Sequence, residues 1–156
     1  MRLFIAITSL IVPVSNLTAA DWSQWRGPNH NNVADTGQDI PTAWSESSNV
    51  VWKVGVPGRG HSSPIVIGDL IVLTSADEQG QQQGVFGFDR QTGKRLWGTV
   101  VSKGGFPKIH TKNTHASPTM ASSNGLFYAT FCHHGTIEAV AVDNEGKIVW
   151  KQIVGP

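Results

Sequence analysis

The sequence contains little cysteine and little charge. A single cysteine among 156 residues excludes an intrachain disulfide. Charged residues make up 15% of the chain, below the roughly 25% of an ordinary soluble domain, which argues against a coiled coil, a long helical bundle or a charged disordered tail. Arg2 is the single charged residue among the first 20. The remaining chain, residues 21–156, therefore has 11 basic and 11 acidic residues. A neutral chain without a basic run disfavours nucleic acid and anionic membranes as partners.

Glycine and apolar residues, by contrast, are plentiful. The chain has 17 glycines and eight prolines, and 39% of its residues are hydrophobic. This apolar fraction is too high for a disordered chain. Frequent Gly and Pro with few charges suit many short strands joined by tight turns, so the composition favours an all-β fold.

The first 20 residues predict an export signal. Arg2 is followed by a short apolar stretch over residues 3–14, and small residues at 18–20 would allow cleavage before Asp21. Twelve apolar residues are fewer than the roughly 20 that a transmembrane helix needs. We therefore expect a secretory signal peptide and an exported protein, periplasmic or extracellular. The alternative is a buried N-terminal helix or strand.

The chain repeats itself. His-x-Ser-Pro at His61 recurs at His115, and the pattern Asp…Gly-Lys…Trp over 89–97 recurs over 143–150. Trp52 matches the end of a further unit whose beginning is absent. Such self-similarity at a period of about 50 residues is the sequence sign of a repeat architecture.

Each unit is predicted to form four strands, because short β-branched and aromatic runs alternate with Gly, Asp and Asn. The predicted strands are 62–67, 70–75, 85–89 and 95–101, then 116–121, 126–131, 136–142 and 148–154. Hairpin signals stand at Gly68-Asp69 and Asn124-Gly125, and similar turns at Thr92-Gly93 and Glu145-Gly146. Four antiparallel strands ending on an aromatic residue are typical of a propeller blade. The sequence thus predicts a partial β-propeller of about two blades plus one orphan strand.

The repeat resembles a known family. Gly87–Trp97, with the shorter copy Ala141–Trp150 that lacks the Thr, resembles pyrroloquinoline-quinone (PQQ)-type repeats. These repeats build the propellers of quinoprotein alcohol dehydrogenases and of the barrel-assembly lipoprotein of the bacterial outer membrane. The segments Asp21–Pro28, Pro57–Pro64 and Lys112–Pro118 resemble exported bacterial PQQ-binding-like β-propeller repeat proteins. The resemblance covers nearly all of the chain after residue 20, and it is more specific for fold than for function.

The resemblance implies structural roles for the repeat tryptophans. Trp97 and Trp150 would pack across to the neighbouring blade, as would Trp52, instead of stacking on a cofactor. A truncation of Trp97 or Trp150 to Ala would then cost about 3–5 kcal/mol.

The expected organisation has three parts. Residues 1–20 form the signal peptide, 21–49 a Trp-rich extension, and 50–156 a partial propeller with blades over about 62–101 and 115–154. Propellers usually need about 4–8 blades to close a ring. The sequence therefore predicts the N-terminal part of a longer propeller or a truncated gene product. The alternative is an oligomer that closes by association.

Candidate ligand-binding residues precede the first strand of each unit. Arg59 and His61 lie before the first unit, and Lys112 and His115 before the second. In a propeller these positions reach the mouth of the central channel, where Arg could make bidentate contacts with an anionic or carbonyl-bearing ligand. The alternative is that His61 and His115 bond to loop carbonyls and hold adjacent blades together.

The remaining candidates for chemistry are weak. His110, His115, His133 and His134 match no standard zinc spacing, so no metal site is predicted. His133–Gly135 is interpreted as a connection between two strands. Cys132 lies in an apolar run and is expected to be a buried structural thiol.

No catalytic residue is predicted. Quinoprotein dehydrogenases, by resemblance, use PQQ, calcium, a catalytic Asp and often an adjacent-cysteine disulfide, which one cysteine cannot form. Asp89 and Asp143 match the turn position of the repeat instead. We expect an exported binding or assembly scaffold whose partner is a protein bound through blade loops. The alternatives are a fragment of a quinoprotein-like oxidoreductase with its site in missing blades, and a degraded product without function.

Overall fold

The fold is all-β, as predicted. The computed structural model describes residues 20–34, 36 and 41–156, so the predicted signal peptide lies, save for its last residue, outside the described residues. The regular elements of the described part are eight strands: β1 (Ile65–Ile67), β2 (Leu70–Asp77), β3 (Gln82–Asp89), β4 (Arg95–Lys103), β5 (Ala121–Ser123), β6 (Leu126–His133), β7 (Thr136–Asp143) and β8 (Ile148–Gly155). No helix among these residues is long and apolar enough to cross a membrane.

The strands form two antiparallel sheets in chain order. Blade 1 is β1-β2-β3-β4 and blade 2 is β5-β6-β7-β8. The turn at Gly68-Asp69 joins β1 to β2, and the turn at Asn124-Gly125 joins β5 to β6 with left-handed φ values of 51° and 74°. Two left-handed residues give a two-residue hairpin the twist of its strands. Both predicted hairpins are therefore confirmed.

An aspartate organises the last turn of each blade. Asp89 Oδ1 accepts a hydrogen bond from Thr92 N at 2.7 Å, and Asp143 Oδ1 accepts one from Lys147 N at 2.8 Å. In the turn, where the chain reverses and the backbone N–H groups have no partner strand, the carboxylate accepts their hydrogen bonds instead. In Asp89 the hydrogen bonds from Thr92 also lower the pKa of the carboxyl group.

The core lies where the two blades meet face to face. Side chains alternate between the two faces of a strand, and the register places Ile65, Val72 and Val85 on one face of blade 1. They pack in one cluster with Phe127 and Val140 of blade 2. All five are at most 2% exposed. Burial of such side chains contributes about 1.5–3 kcal/mol each, so the blades stabilise each other.

The first strand of blade 2 is not where the sequence placed it. The prediction of 116–121 is wrong, because β5 begins at Ala121. The preceding segment crosses blade 1 instead. His61 N donates to Ala116 O at 3.1 Å, and Thr74 Oγ1 donates to Pro118 O, also at 3.1 Å. The carbonyl groups of Ala116 and Pro118 therefore bond to the segment before β1 and to β2, respectively, instead of forming a strand ladder.

The expectation of a buried Cys132 is also wrong. The thiol is exposed. Cys132 pairs with Ile137 across β6 and β7, on the face of the strand opposite to the buried Phe131. Sequence patterning found the strand correctly but could not tell which of its faces another blade covers.

The N-terminal extension runs along the first strands of both blades. Trp22 forms an isolated antiparallel bridge with Val66, with hydrogen bonds of 2.8 and 3.0 Å. Ser122 N donates to Ser23 O at 2.8 Å, and Gly68 N donates to the Asp21 carboxylate at 2.7 Å. Residues 21–23 thus join the inner edges of the two sheets.

Candidate functional site

A tryptophan of one unit docks on the last turn of the next unit. Trp52 Nε1 donates to Arg90 O at 2.9 Å, and Trp97 Nε1 donates to Asn144 O at 2.8 Å. Each acceptor is the residue directly after the turn aspartate. A buried indole N–H needs one acceptor, and the repeat supplies it at the same place twice.

Glycine makes room for each indole ring. Gly93 and Gly146 have left-handed φ values of 70° and 80°. A Cβ at Gly93 would lie 2.6 Å from the Trp52 ring, and one at Gly146 would lie 2.5 Å from the Trp97 ring. Other residues are therefore disfavoured at both positions by backbone conformation and by contact with the ring. We call this arrangement of indole, carbonyl and glycine the Trp–Gly interlock.

Trp150 holds the equivalent position in blade 2 without such a turn. It is 41% exposed, and its ring lies 6.0 Å from that of Tyr128. No turn of a further blade meets it within the described part of the chain. The three tryptophans identified by sequence therefore share a position in the repeat, while two of them are docked.

Two of the four predicted ligand-binding residues meet at one acidic side chain. Glu78 follows β2, and its Oε1 lies 4.0 Å from Arg59 Nη1 and 3.6 Å from His115 Nδ1. The backbone of Arg59 exchanges two hydrogen bonds with Ala76, at 2.8 and 2.9 Å, which fixes its position beside β2. The side chains of Arg59 and Glu78 are about half exposed, so this ion pair is weak and open to exchange.

His115 is held by its own surroundings. Its Nε2 lies 3.0 Å from Pro107 O, and its ring stacks on Phe106 at 4.2 Å between centroids. Its carbonyl accepts a hydrogen bond of 2.7 Å from Gln83, a buried side chain of blade 1. Such contacts are those expected if His115 bonds to loop carbonyls and holds a loop against a blade, the alternative to ligand binding.

The other two predicted residues lie apart from Glu78. His61 is exposed, and its backbone N donates to Ala116 O. Lys112 is exposed as well, and its backbone N donates to His110 Nδ1 at 3.2 Å. Both side chains are directed to solvent near the segments that precede the blades.

A mainly apolar cavity of about 310 Å³ adjoins the charged group through His115. Its apolar lining includes Pro107, Ile109, Pro118, Phe131 and Ile137. Gln83 fixes one wall, since its amide also donates to Cys132 O at 3.2 Å and its Oε1 accepts from Ser102 Oγ at 2.5 Å. Sequence reasoning missed Gln83 and Glu78. The residues around Gln83 and Glu78 in the sequence do not indicate a functional role, because the partners of both side chains come from distant segments.

The remaining histidines serve the fold. His134 and Gly135 form the turn between β6 and β7 with left-handed φ values of 48° and 71°, which confirms the predicted connection. His134 Nε2 lies 3.1 Å from Lys103 O of blade 1. His133 Nε2 lies 3.1 Å from Glu138 Oε2.

Glu138 forms a charged group between the blades. Lys151 Nζ lies 2.7 Å from Glu138 Oε2 and also 2.7 Å from Val101 O of blade 1. Burial raises the pKa of Glu138, but the hydrogen bonds from Lys151 and His133 outweigh burial and hold the pKa below its usual value. The carboxylate thus stays ionised and links the two sheets.

Neither a metal-ligand cluster nor a free platform on the indoles of Trp52 and Trp97 is found among residues 20–34, 36 and 41–156. No three His, Cys, Asp or Glu side chains among them are grouped so as to hold a metal ion. The rings of Trp52 and Trp97 are already packed on glycine.

The sheets and the repeated interlock define a class of protein, a β-propeller repeat protein built from PQQ-type blades. A family model described as outer membrane protein assembly factor BamB matches residues 28–155. The chain belongs to this family of PQQ-type repeats. No curated protein matches the chain significantly.

Proposed function

We propose that the chain is an exported scaffold that binds a protein partner through the segments that precede its blades. One observation carries this proposal. The cavity of about 310 Å³ and the Arg59–Glu78 pair adjoin at His115. A mainly apolar cavity beside a few fixed polar groups is a common form of binding site. The family description, an outer membrane protein assembly factor, supports a role in protein assembly outside the cytoplasm.

The site suits an extended peptide segment of the partner. An apolar side chain would occupy the cavity, while Arg59 would leave Glu78 for a carboxylate or carbonyl of the partner. This exchange is inexpensive because exposed ion pairs contribute only about 0–1 kcal/mol. Lys112, exposed nearby in sequence, would add attraction for an acidic segment and speed association. The groups are binding groups, and no reaction is assigned to them.

The proposal is tested by photo-cross-linking in the producing cell. A photoreactive residue replaces Arg59 or Lys112, and a matched control replaces Lys147. Lys147 is exposed in the turn between β7 and β8, at the opposite end of the strands. We expect one defined protein adduct from positions 59 and 112, in the extracytoplasmic fraction, and none from position 147. Equal adducts from all three positions, or none from any, would refute the proposed site.

Two further measurements separate the parts of the proposal. N-terminal sequencing of the secreted protein tests export, with a mature chain that begins at Asp21 as the expected result. Titration with PQQ and calcium tests the oxidoreductase alternative, and saturable binding to the folded protein would favour that alternative over the scaffold.

A further inference from the structure

The loop of residues 24–32, here called the arginine loop, has the features of a second binding site. We propose that this loop binds an acidic carbohydrate, that is, a sugar unit that carries a carboxylate. The face of the sugar ring packs on Trp25, and its carboxylate bonds to Arg26. The inference goes beyond the proposed function and does not depend on it, because neither residue belongs to the cavity or to the Arg59–Glu78 pair.

The arginine loop is closed by its own hydrogen bonds. Gly27 N donates to Gln24 O at 3.0 Å. Asn32 N donates to Arg26 O, also at 3.0 Å. The amide nitrogen of the Gln24 side chain lies 3.0 Å from His30 Nε2. The shape of the loop is therefore set before a ligand arrives, which reduces the entropy that binding costs.

The two tryptophans of this segment have different surroundings. Trp22 is partly buried and pairs with Val66 of β1. Its ring packs on the loop, since a Cβ at Gly27 would lie 2.8 Å from it. Trp25, by contrast, is 63% exposed. Trp22 thus attaches the loop to blade 1, whereas the larger part of the Trp25 indole is open to a ligand.

Arg26 has a backbone conformation that is unfavourable for arginine. Its φ is 67°, in the left-handed region that glycine adopts without strain. The side chain is exposed, and within the part of the chain that the structure describes its guanidinium makes no hydrogen bond or ion pair. It lies 5.8 Å from the centroid of the Trp25 ring, a cation–π distance. A strained residue whose polar groups the fold does not use points to a functional role.

The chemistry of these side chains selects the ligand. A guanidinium binds a carboxylate through two parallel, charge-assisted hydrogen bonds. The face of an indole carries a partial negative charge, which suits the C–H groups on the face of a sugar ring. Asn29 and Asn32 are exposed in the same loop, and their amides can both donate to and accept from hydroxyl groups. Together these groups match a hydroxyl-rich ring with one anionic substituent, as in a uronic acid.

Nucleic acid fits the same loop less well. Bases also stack on exposed aromatic rings, but affinity for nucleic acid depends mainly on several contacts between basic side chains and phosphates. Arg26 is the single basic residue of residues 20–34 other than His30, and the chain has no basic run. The loop therefore favours one carboxylate over a row of phosphates.

Isothermal titration calorimetry with the full-length protein tests the inference. The probes are the trisaccharides of galacturonic acid and of mannuronic acid, and the uncharged match of each is its methyl ester. We expect saturable binding of at least one acid and binding of its ester that is weaker by about tenfold or more, since hydrogen bonds to charged groups are the stronger ones. Trp25→Ala and Arg26→Gly should each weaken binding of the acid by about tenfold or more. The matched controls, Trp44→Ala and Arg95→Ala, change residues that are also exposed and should bind as the wild type does.

Arg26→Gly also separates a binding role from a structural one. Glycine relieves the left-handed backbone at this position, so the urea midpoint of the variant should equal or exceed that of the wild type while its affinity for the trisaccharide falls. A lower midpoint would show that Arg26 stabilises the loop, and this would overturn the assignment.

Three further results would overturn the inference. One is the absence of saturable binding for both acidic trisaccharides. Another is equal binding of acid and ester, or equal losses in the loop variants and in their controls. The third is binding of a single-stranded thymidine oligonucleotide as tight as that of the trisaccharide, which would assign Trp25 to base stacking.

Discussion

Substitution of Gly146 by Ala is expected to destabilise the protein far more than the same change at Gly125. Both glycines have left-handed φ, 80° and 74°, so both variants incur a backbone cost of about 1–2 kcal/mol. They differ in what the new methyl group meets. At Gly146 the Cβ would lie 2.5 Å from Trp97 Cε3, whereas at Gly125 nothing lies within 4 Å. Displacement of a packed ring adds about 1–3 kcal/mol.

We therefore expect a loss of about 2–5 kcal/mol for Gly146→Ala and about 1–2 kcal/mol for Gly125→Ala. Urea unfolding followed by far-UV circular dichroism measures both, with the denaturant slope as a check that the unfolded state is unchanged. In a Trp97→Ala background the extra loss at Gly146 should disappear, since the two residues are coupled. Equal losses at the two glycines in the wild-type background would refute the packing argument.

Three more predictions concern single side chains. Trp97→Ala should cost about 3 kcal/mol or more, whereas Trp150→Ala should cost about 1 kcal/mol or less because its site is partly open. Urea unfolding measures the loss of stability in both variants, and equal losses would contradict the difference in docking between Trp97 and Trp150. Glu138→Gln should remove a pH-dependent part of stability. The folded pKa of Glu138 lies below the usual value of 4.5, so this part is present above about pH 4.5 and is lost as pH falls through the folded pKa. Thermal unfolding from pH 7 to pH 3 measures it, and an unchanged pH profile in the variant would contradict the role of Lys151. Cys132 in the folded wild type should react with a thiol reagent at a rate close to that in urea, because its side chain is exposed. Strong protection of the thiol in the folded protein would contradict this exposure.

The parts of the fold that sequence could predict are those fixed locally. The hairpin at Asn124-Gly125 needs two left-handed residues, and Asn and Gly are the residues that adopt this conformation most readily. The repeat of Asp, Gly, Lys and Trp fixed the last two strands of each blade. The common position of Trp52, Trp97 and Trp150 was visible for the same reason, because one repeat aligns with the next.

The parts that sequence could not predict depend on contacts between segments. The predicted strand 116–121 was displaced because Ala116 bonds to the segment before β1 and Pro118 bonds to Thr74 of β2, contacts that no local pattern reveals. Cys132 lies on a correctly predicted strand, but its burial depends on a neighbouring blade. Arg59 and His115 meet at Glu78 although they lie 56 positions apart in the sequence, so their proximity depends on the chain topology.

Hydrogen exchange of the indole N–H groups tests the central claim, that Trp52 and Trp97 each dock on the last turn of the following blade. The groups are resolved by NMR in the unmodified protein. The Trp97 N–H, bonded to Asn144 O, should exchange much more slowly than that of Trp150, and the Trp52 N–H should lie between them because its segment is exposed. That order would support the interlock. A Trp97 N–H that exchanges as fast as that of Trp150 would contradict it.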